Sequence, residues 1–207
     1  MASGFLSAAM SAAESQTAFT TENWRLLRAF NFYRLILALA ASALALSGTM
    51  IPPFGEAGPG LFRNTSLVYL VVALGAAAII QLRWTAFEPL ATLLAFADVV
   101  LITLLMHSSQ GLESGIGLLL LVAIAGASLM LGTRLTILFA ALATIAIGLE
   151  VNWVFLTQGE WNASRWRTDG YTQMGVLGIG LFATAAFSHF LARRLRATEE
   201  LAQQRGV

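Results

Sequence analysis

Apolar residues fall in six long runs along the chain, at 33–51, 66–82, 89–106, 115–131, 135–156 and 171–192, with short polar breaks between them. Crossing a hydrocarbon core of about 30 Å takes about 20 helical residues. The pattern therefore predicts an all-α integral membrane protein, a six-helix bundle. The breaks agree with it. Pro52, Pro53, Gly55, Gly58 and Pro59 forbid a continuous helix between the first two runs. Arg83 to Glu88 forms a short turn, and Pro89 suits the first position of the third span. The link HSSQGLES (107–114) is broken by glycine. Gly132-Thr133-Arg134 is tight enough to make spans four and five antiparallel neighbours.

The flanks are different in kind. Residues 1–22 are small and polar, and are expected to form a disordered cytoplasmic tail. Asn23 to Arg34 carries Trp24, Leu27, Phe30 and Tyr33 on one stripe, with Arg25 and Arg28 able to reach headgroups, the pattern of an interfacial entry helix. The six-span domain then extends over 23–192. Beyond it, 193–207 is charged, with Leu191, Leu195, Thr198 and Ala202 on one face of a short heptad-like seam. This segment is expected to begin a juxtamembrane signal helix and exit, one that dimerises through Leu195 and Ala202. Its stop at Gly206-Val207 suggests a truncated chain.

Charge orients the bundle. Every basic residue is arginine. Arg25, Arg28, Arg34, Arg83, Arg134, Arg193, Arg194, Arg196 and Arg205 lie on one side, against Arg63, Arg165 and Arg167 on the other. The positive-inside rule then places both termini in the cytoplasm. Trp161, Trp166 and Tyr171 supply an aromatic belt on the opposite side. With 57% hydrophobic and 11% charged residues the chain is far from the roughly 25% charged content of soluble domains, which excludes a soluble core. A net charge of +1 argues against a nucleic-acid partner, and the absence of cysteine excludes disulfides and thiolate chemistry.

Few residues carry candidate chemistry. Asp98 lies mid-span, where a charge costs roughly 3 kcal/mol or more. Its own helix offers no partner one turn away, and Ser42, Thr144 and Thr184 fall near the same depth. It is read as a protonated, hydroxyl-bonded carboxyl or, alternatively, as a ligand contact. Glu150 lies one turn inside Asn152 and Trp153, with His107 and the Arg165/Arg167 loop as expected company. His107 and His189 sit at opposite ends of the bundle and do not make a metal site. Gly180, Thr184 and Ser188 share one stripe of span six, and Ala123 and Ala127 share one of span four, with Gly126 beside them. Small residues four apart serve either internal packing or a dimer seam. No nucleophile–base pair, phosphate loop or metal cluster is present, so no catalytic residue, metal or cofactor is expected.

Three stretches, ENWRLLRAFNFYRLILAL (22–39), LLMHSSQGLESGIGLLLLVAIAGASLML (104–131) and ARRLRATEELAQQRGV (192–207), resemble the amino-terminal region of PilS-type sensor histidine kinases. The resemblance implies a homodimeric two-component sensor of the bacterial inner membrane that detects pilin and regulates pilin transcription, its kinase domains lying outside these residues. It also implies a pilin transmembrane helix as partner, bearing a carboxylate near the cytoplasmic face. Arg34 would meet that carboxylate, with Asn31, Tyr33, Ala38, Ala41 and Ser42 around it. The alternative is that Arg34 snorkels to lipid phosphate. A rival class is a small transporter or proton-coupled carrier using Asp98 and Glu150.

The arginine bias makes a direct prediction. Reporter fusions after Arg83, Gly132 and Val207 should read cytoplasmic, and those near Gly58, Gly111 and Ser164 periplasmic. A periplasmic carboxy terminus would overturn the both-ends-inside topology.

Overall fold

A computed structural model describes residues 2–48, 51–158 and 163–205, with side chains at 23–48, 51–153, 156–157, 169–188 and 190–191. It is all-helical. In chain order the elements are α1 (Ala2–Leu46), α2 (Pro59–Leu82), α3 (Phe87–Ser108), a 3₁₀ turn (Gly111–Ser114), α4 (Leu118–Met130), α5 (Thr133–Gln158) and α6 (Ala163–Arg205). Among the described residues, Asn23–Leu46, Pro59–Leu82, Phe87–Ser108 and Thr133–Trp153 are each long and apolar enough to cross a membrane, and Leu118–Met130 is a shorter apolar helix. Ile36, Leu39, Val68, Val71, Leu93, Ile145, Leu149, Val176 and Ile179 face outward. Apolar surface on that scale is stable only where lipid covers it.

Local signals place the helix ends. Gly58 precedes α2 and Pro59 opens it, where a missing N–H costs nothing. Arg83 closes α2 in the left-handed region at φ 52° and ψ 39°. Glu88 lies in the first turn of α3 and complements its dipole. Pro89 is two residues inside α3 rather than at its start, still within the turn that has no intrahelical N–H partners.

Three boundaries differ from the sequence expectation. The backbone of residues 2–22 is helical, continuous with α1, where a disordered tail was expected. This alanine-rich segment has no proline, so nothing local stops helix propagating back from the span. Asn23 to Arg34 is part of the first membrane-length helix, not a separate interfacial segment. Its buried positions are Trp24, Leu27, Asn31, Arg34, Ala38 and Ser42, a stripe that turns two polar residues inward along with the apolar ones. The fourth run is helical only from Leu118, because Gly115 at φ 73° unwinds its start. Gly117 packs there between Leu177 and Met106, so the irregular backbone is covered by protein.

α3 is central. In its apolar window 56% of residues are buried against protein, compared with 22% in α1. Leu94, Val99, Ile102, Leu105 and Met106 form its part of the core. The loop before α2 is tied to the end of α3 by Gly58 N–H donating to Ser108 O at 3.1 Å and Gly55 N–H donating to Ser109 Oγ at 3.0 Å. Across the bundle, the ring of Phe30 lies directly over Gly126, where a Cβ would overlap it. The small residues of span four thus admit α1 at close range.

Gly126→Val should consequently displace Phe30 and destabilise the purified protein by ~1–3 kcal/mol, the usual cost of overpacking. Pairing it with Phe30→Ala should recover part of the loss in thermal unfolding. An unchanged melting temperature for Gly126→Val would contradict this contact.

Candidate functional site

Arg34 lies halfway along Asn23–Leu46, Tyr69 halfway along Pro59–Leu82, and Asp98 halfway along Phe87–Ser108. The three side chains meet. Arg34 Nε donates to both carboxylate oxygens of Asp98 at 2.8 Å, and Nη2 reaches Oδ2 at 2.7 Å. Tyr69 OH donates to Oδ1 at 2.9 Å. The Arg34 and Asp98 side chains are 4% and 6% exposed. A charge-assisted contact of this length, closed off from solvent, is far stronger than a surface pair. It also answers the insertion cost of each charge, since a buried ion is tolerated only when paired and hydrogen-bonded.

This corrects two expectations. Asp98 is an ion-paired carboxylate whose hydroxyl donor is Tyr69, not Ser42 or Thr144: Ser42 Oγ donates to Ser66 O at 3.1 Å and Thr144 Oγ1 to Ala140 O at 2.8 Å. Arg34 does not snorkel at the cytoplasmic face; it is buried and turned inward. The reason is register. Once the first span begins at Asn23, residue 34 falls at its middle, level with Asp98.

The surroundings of the pair are polar as well. One turn before Arg34, Asn31 Nδ2 donates to Ala73 O at 3.1 Å, and together with the Ser42–Ser66 bond this straps α1 to α2. Among the described residues, three buried atoms at or beside the pair have no hydrogen-bond partner: Asn31 Oδ1, Tyr33 OH and Arg34 Nη1. Such orphans are uncommon and call for an acceptor or donor from water or a ligand.

Glu150 is engaged elsewhere. His107 Nδ1 lies 2.8 Å from its Oε2 at the far end of α3 and α5, and the His107 ring meets Trp153 edge-on at 6.2 Å. Asp98 and Glu150 therefore belong to two separate clusters, roughly 14 Å apart along α3 by helical rise. Ile102, Leu105 and Met106 close the face between them. A carrier using both carboxylates lacks a polar route there. Near the other end of α3, Trp24 packs edge-on to Phe87 at 5.8 Å and under Arg83 at 5.9 Å.

On α6, Gly180 faces Leu121 of α4, with space for a Cβ only at 3.4 Å, and Thr184 and Ser188 are half-buried. Gly178 packs on Thr144 of α5. Leu195, Ala202, Arg165, Arg167, Trp166 and His189 lie outside the described side chains, and Trp161, Gly206 and Val207 outside the described residues. Among the described residues no group of three or more His, Cys, Asp or Glu side chains is placed to hold a metal ion. Tyr69 is the member of the central cluster that the sequence did not single out. Its position halfway along an apolar span, level with an unpaired aspartate, was the available signal.

Comparison with known proteins places this geometry. A family model described as the PilS-like transmembrane domain, with six membrane segments, matches residues 16–202. The sensor protein kinase PilS of Pseudomonas aeruginosa is 34% identical over 181 residues, which cover 87% of this chain and 33% of that protein. The chain thus spans about a third of the length of the curated relative it matches. No solved structure matches it.

The central cluster should behave as a unit on mutation. Asp98→Leu, which strands the guanidinium, should cost ~3–5 kcal/mol in unfolding of the purified protein. Asp98→Asn should be milder but still destabilising. The double change Arg34→Met with Asp98→Leu should recover most of the loss, because replacing both ions by apolar side chains removes the desolvation penalty as well. Additive losses in the double variant would show that the two residues are not coupled.

Proposed function

Because the chain belongs to the family of PilS-like transmembrane domains, we propose that it is the sensory membrane domain of a two-component sensor histidine kinase. It detects pilin within the bacterial inner membrane and regulates pilin transcription. In this reading the six-span unit over 23–192 is the receptor, preceded by a cytoplasmic segment over 1–22. Residues 193–207 begin the cytoplasmic signal helix, paired in a homodimer through Leu195 and Ala202.

The observation that carries the reading is the Arg34–Asp98–Tyr69 cluster with its unpartnered Arg34 Nη1 and Tyr33 OH. A pilin helix brings a carboxylate into the membrane. That carboxylate competes with Asp98 for the guanidinium, or completes its hydrogen bonding from the other side, and either exchange alters how α1 sits against α3. A ligand shifts a conformational equilibrium only through differential affinity, and a preference of about 1.4 kcal/mol moves it tenfold. The carrier alternative has less support, since both of its carboxylates are committed to internal partners.

In a full-length PilS-type sensor carrying this domain, Arg34→Met with Asp98→Leu should leave the protein in the membrane but abolish the fall in pilin-promoter activity when pilin accumulates. Cysteines at Leu195 or Ala202 should crosslink between copies in the same cells. A normal pilin response in the double variant would remove the cluster from the input, and absent crosslinking along the seam would remove the paired signal helix.

A further inference from the structure

Where α3 and α5 end and α2 begins, the bundle opens into a cleft of about 570 Å³. Its walls come from four parts of the chain: Gly58 and Leu61 at the start of α2, His107 at the end of α3, Gly111 and Glu113 on the 3₁₀ turn, and Glu150 and Trp153 on α5. This cluster is separate from the Arg34–Asp98 pair, and nothing in the helix-recognition reading uses it.

The lining has a definite chemical bias. Glu150 is 7% exposed, a carboxylate whose side-chain partner among the described residues is the His107 ring. His107 engages Oε2, and Oε1 lies on the side of Gly111. That glycine adopts φ 68°, and a Cβ on it would stand 3.2 Å from Oε1. Any side chain at 111 would therefore crowd the oxygen that His107 does not engage. Trp153 is 56% exposed, and its indole flanks His107. Glu113 adds a second, exposed carboxylate. Among the described lining residues there is no arginine.

Buried and exposed carboxylates beside a partly exposed indole are the elements that recognise a positively charged nitrogen, through charge-assisted hydrogen bonds and cation–π contact. The volume lies within the range of small-ligand sites. We propose that this cleft binds an ammonium group, carried either by a free small amine or by an amine-bearing lipid headgroup.

The test uses the chain labelled with 5-fluorotryptophan in phosphatidylglycerol nanodiscs, which contain no amine, with the Trp153 resonance assigned through Trp153→Phe. Ethylammonium should shift that resonance saturably, and ethanol, its neutral counterpart of similar size, should not. Glu150→Gln should weaken ethylammonium binding by about tenfold or more, as loss of a hydrogen bond to a charged group implies. Nanodiscs containing phosphatidylethanolamine separate the sources. A resonance already shifted, with ethylammonium needed at higher concentration, identifies the lipid headgroup as occupant. An unchanged titration identifies a free amine. Equal responses to ethanol and ethylammonium, no saturable response in either disc, or full affinity in Glu150→Gln would each overturn the proposal. If Glu150→Gln does not fold, the comparison of ethylammonium with ethanol on the native chain decides alone.

Discussion

The pairing of Arg34 with Asp98 in the middle of the membrane sets the terms for the rest of the bundle. Neither ion is tolerable alone at that depth, so α1 and α3 must lie in contact at one register. Tyr69 extends the constraint to α2. The remaining packing is mostly permissive. Leucine, isoleucine and valine on the outer faces meet lipid as readily as they meet each other, and give little preference for one helix arrangement over another. Specificity therefore concentrates in a few places: the ionic cluster at mid-depth, the Asn31–Ala73 and Ser42–Ser66 straps between α1 and α2, and the Phe30–Gly126 contact that draws α4 onto α1.

The two polar clusters on α3 divide its length. One holds α3 to α1 and α2 at mid-span, and the other holds it to α5 at the end. A central helix gripped from opposite sides at two heights can pass a disturbance at one grip to the other by small rotation or tilt. This suits a receptor better than a conduit, because the apolar residues between the grips keep water and ions from passing along it.

The helical architecture was legible because a bilayer imposes one demand on every crossing segment, a long apolar helix. The ends were less legible. Arg25, Arg28, Asn31 and Arg34 lower the hydropathy ahead of residue 35 and hid the true start of the first span. Two of the four, Asn31 and Arg34, point inward, and hydropathy does not record direction. Likewise Gly115 sits in an apolar run, yet its left-handed backbone delays the start of α4 to Leu118. For the site, Glu150 and His107 were placed together correctly, since both lie near span ends on one side. Asp98 pairs with Arg34 and Tyr69 rather than with Ser42, Thr144 or Thr184, because a first span that begins at Asn23 sets residue 34 level with it. The correct depth for Arg34 would have suggested the pair, as the two opposite charges then stand level.

The separation of 64 residues between Arg34 and Asp98 also governs how the protein is made. During synthesis α1 leaves the ribosome well before α3, so Arg34 reaches the insertion machinery while its counter-ion is still being translated. An unpaired arginine at mid-depth adds roughly 3 kcal/mol against insertion, and the leucine- and alanine-rich segment after it must outweigh that for α1 to enter by itself. Otherwise α1 waits at the lateral gate until Asp98 arrives, and α1 to α3 partition into lipid together. A chain interrupted before α3 leaves Arg34 without its counter-ion, so the cost of the charge falls on α1 alone.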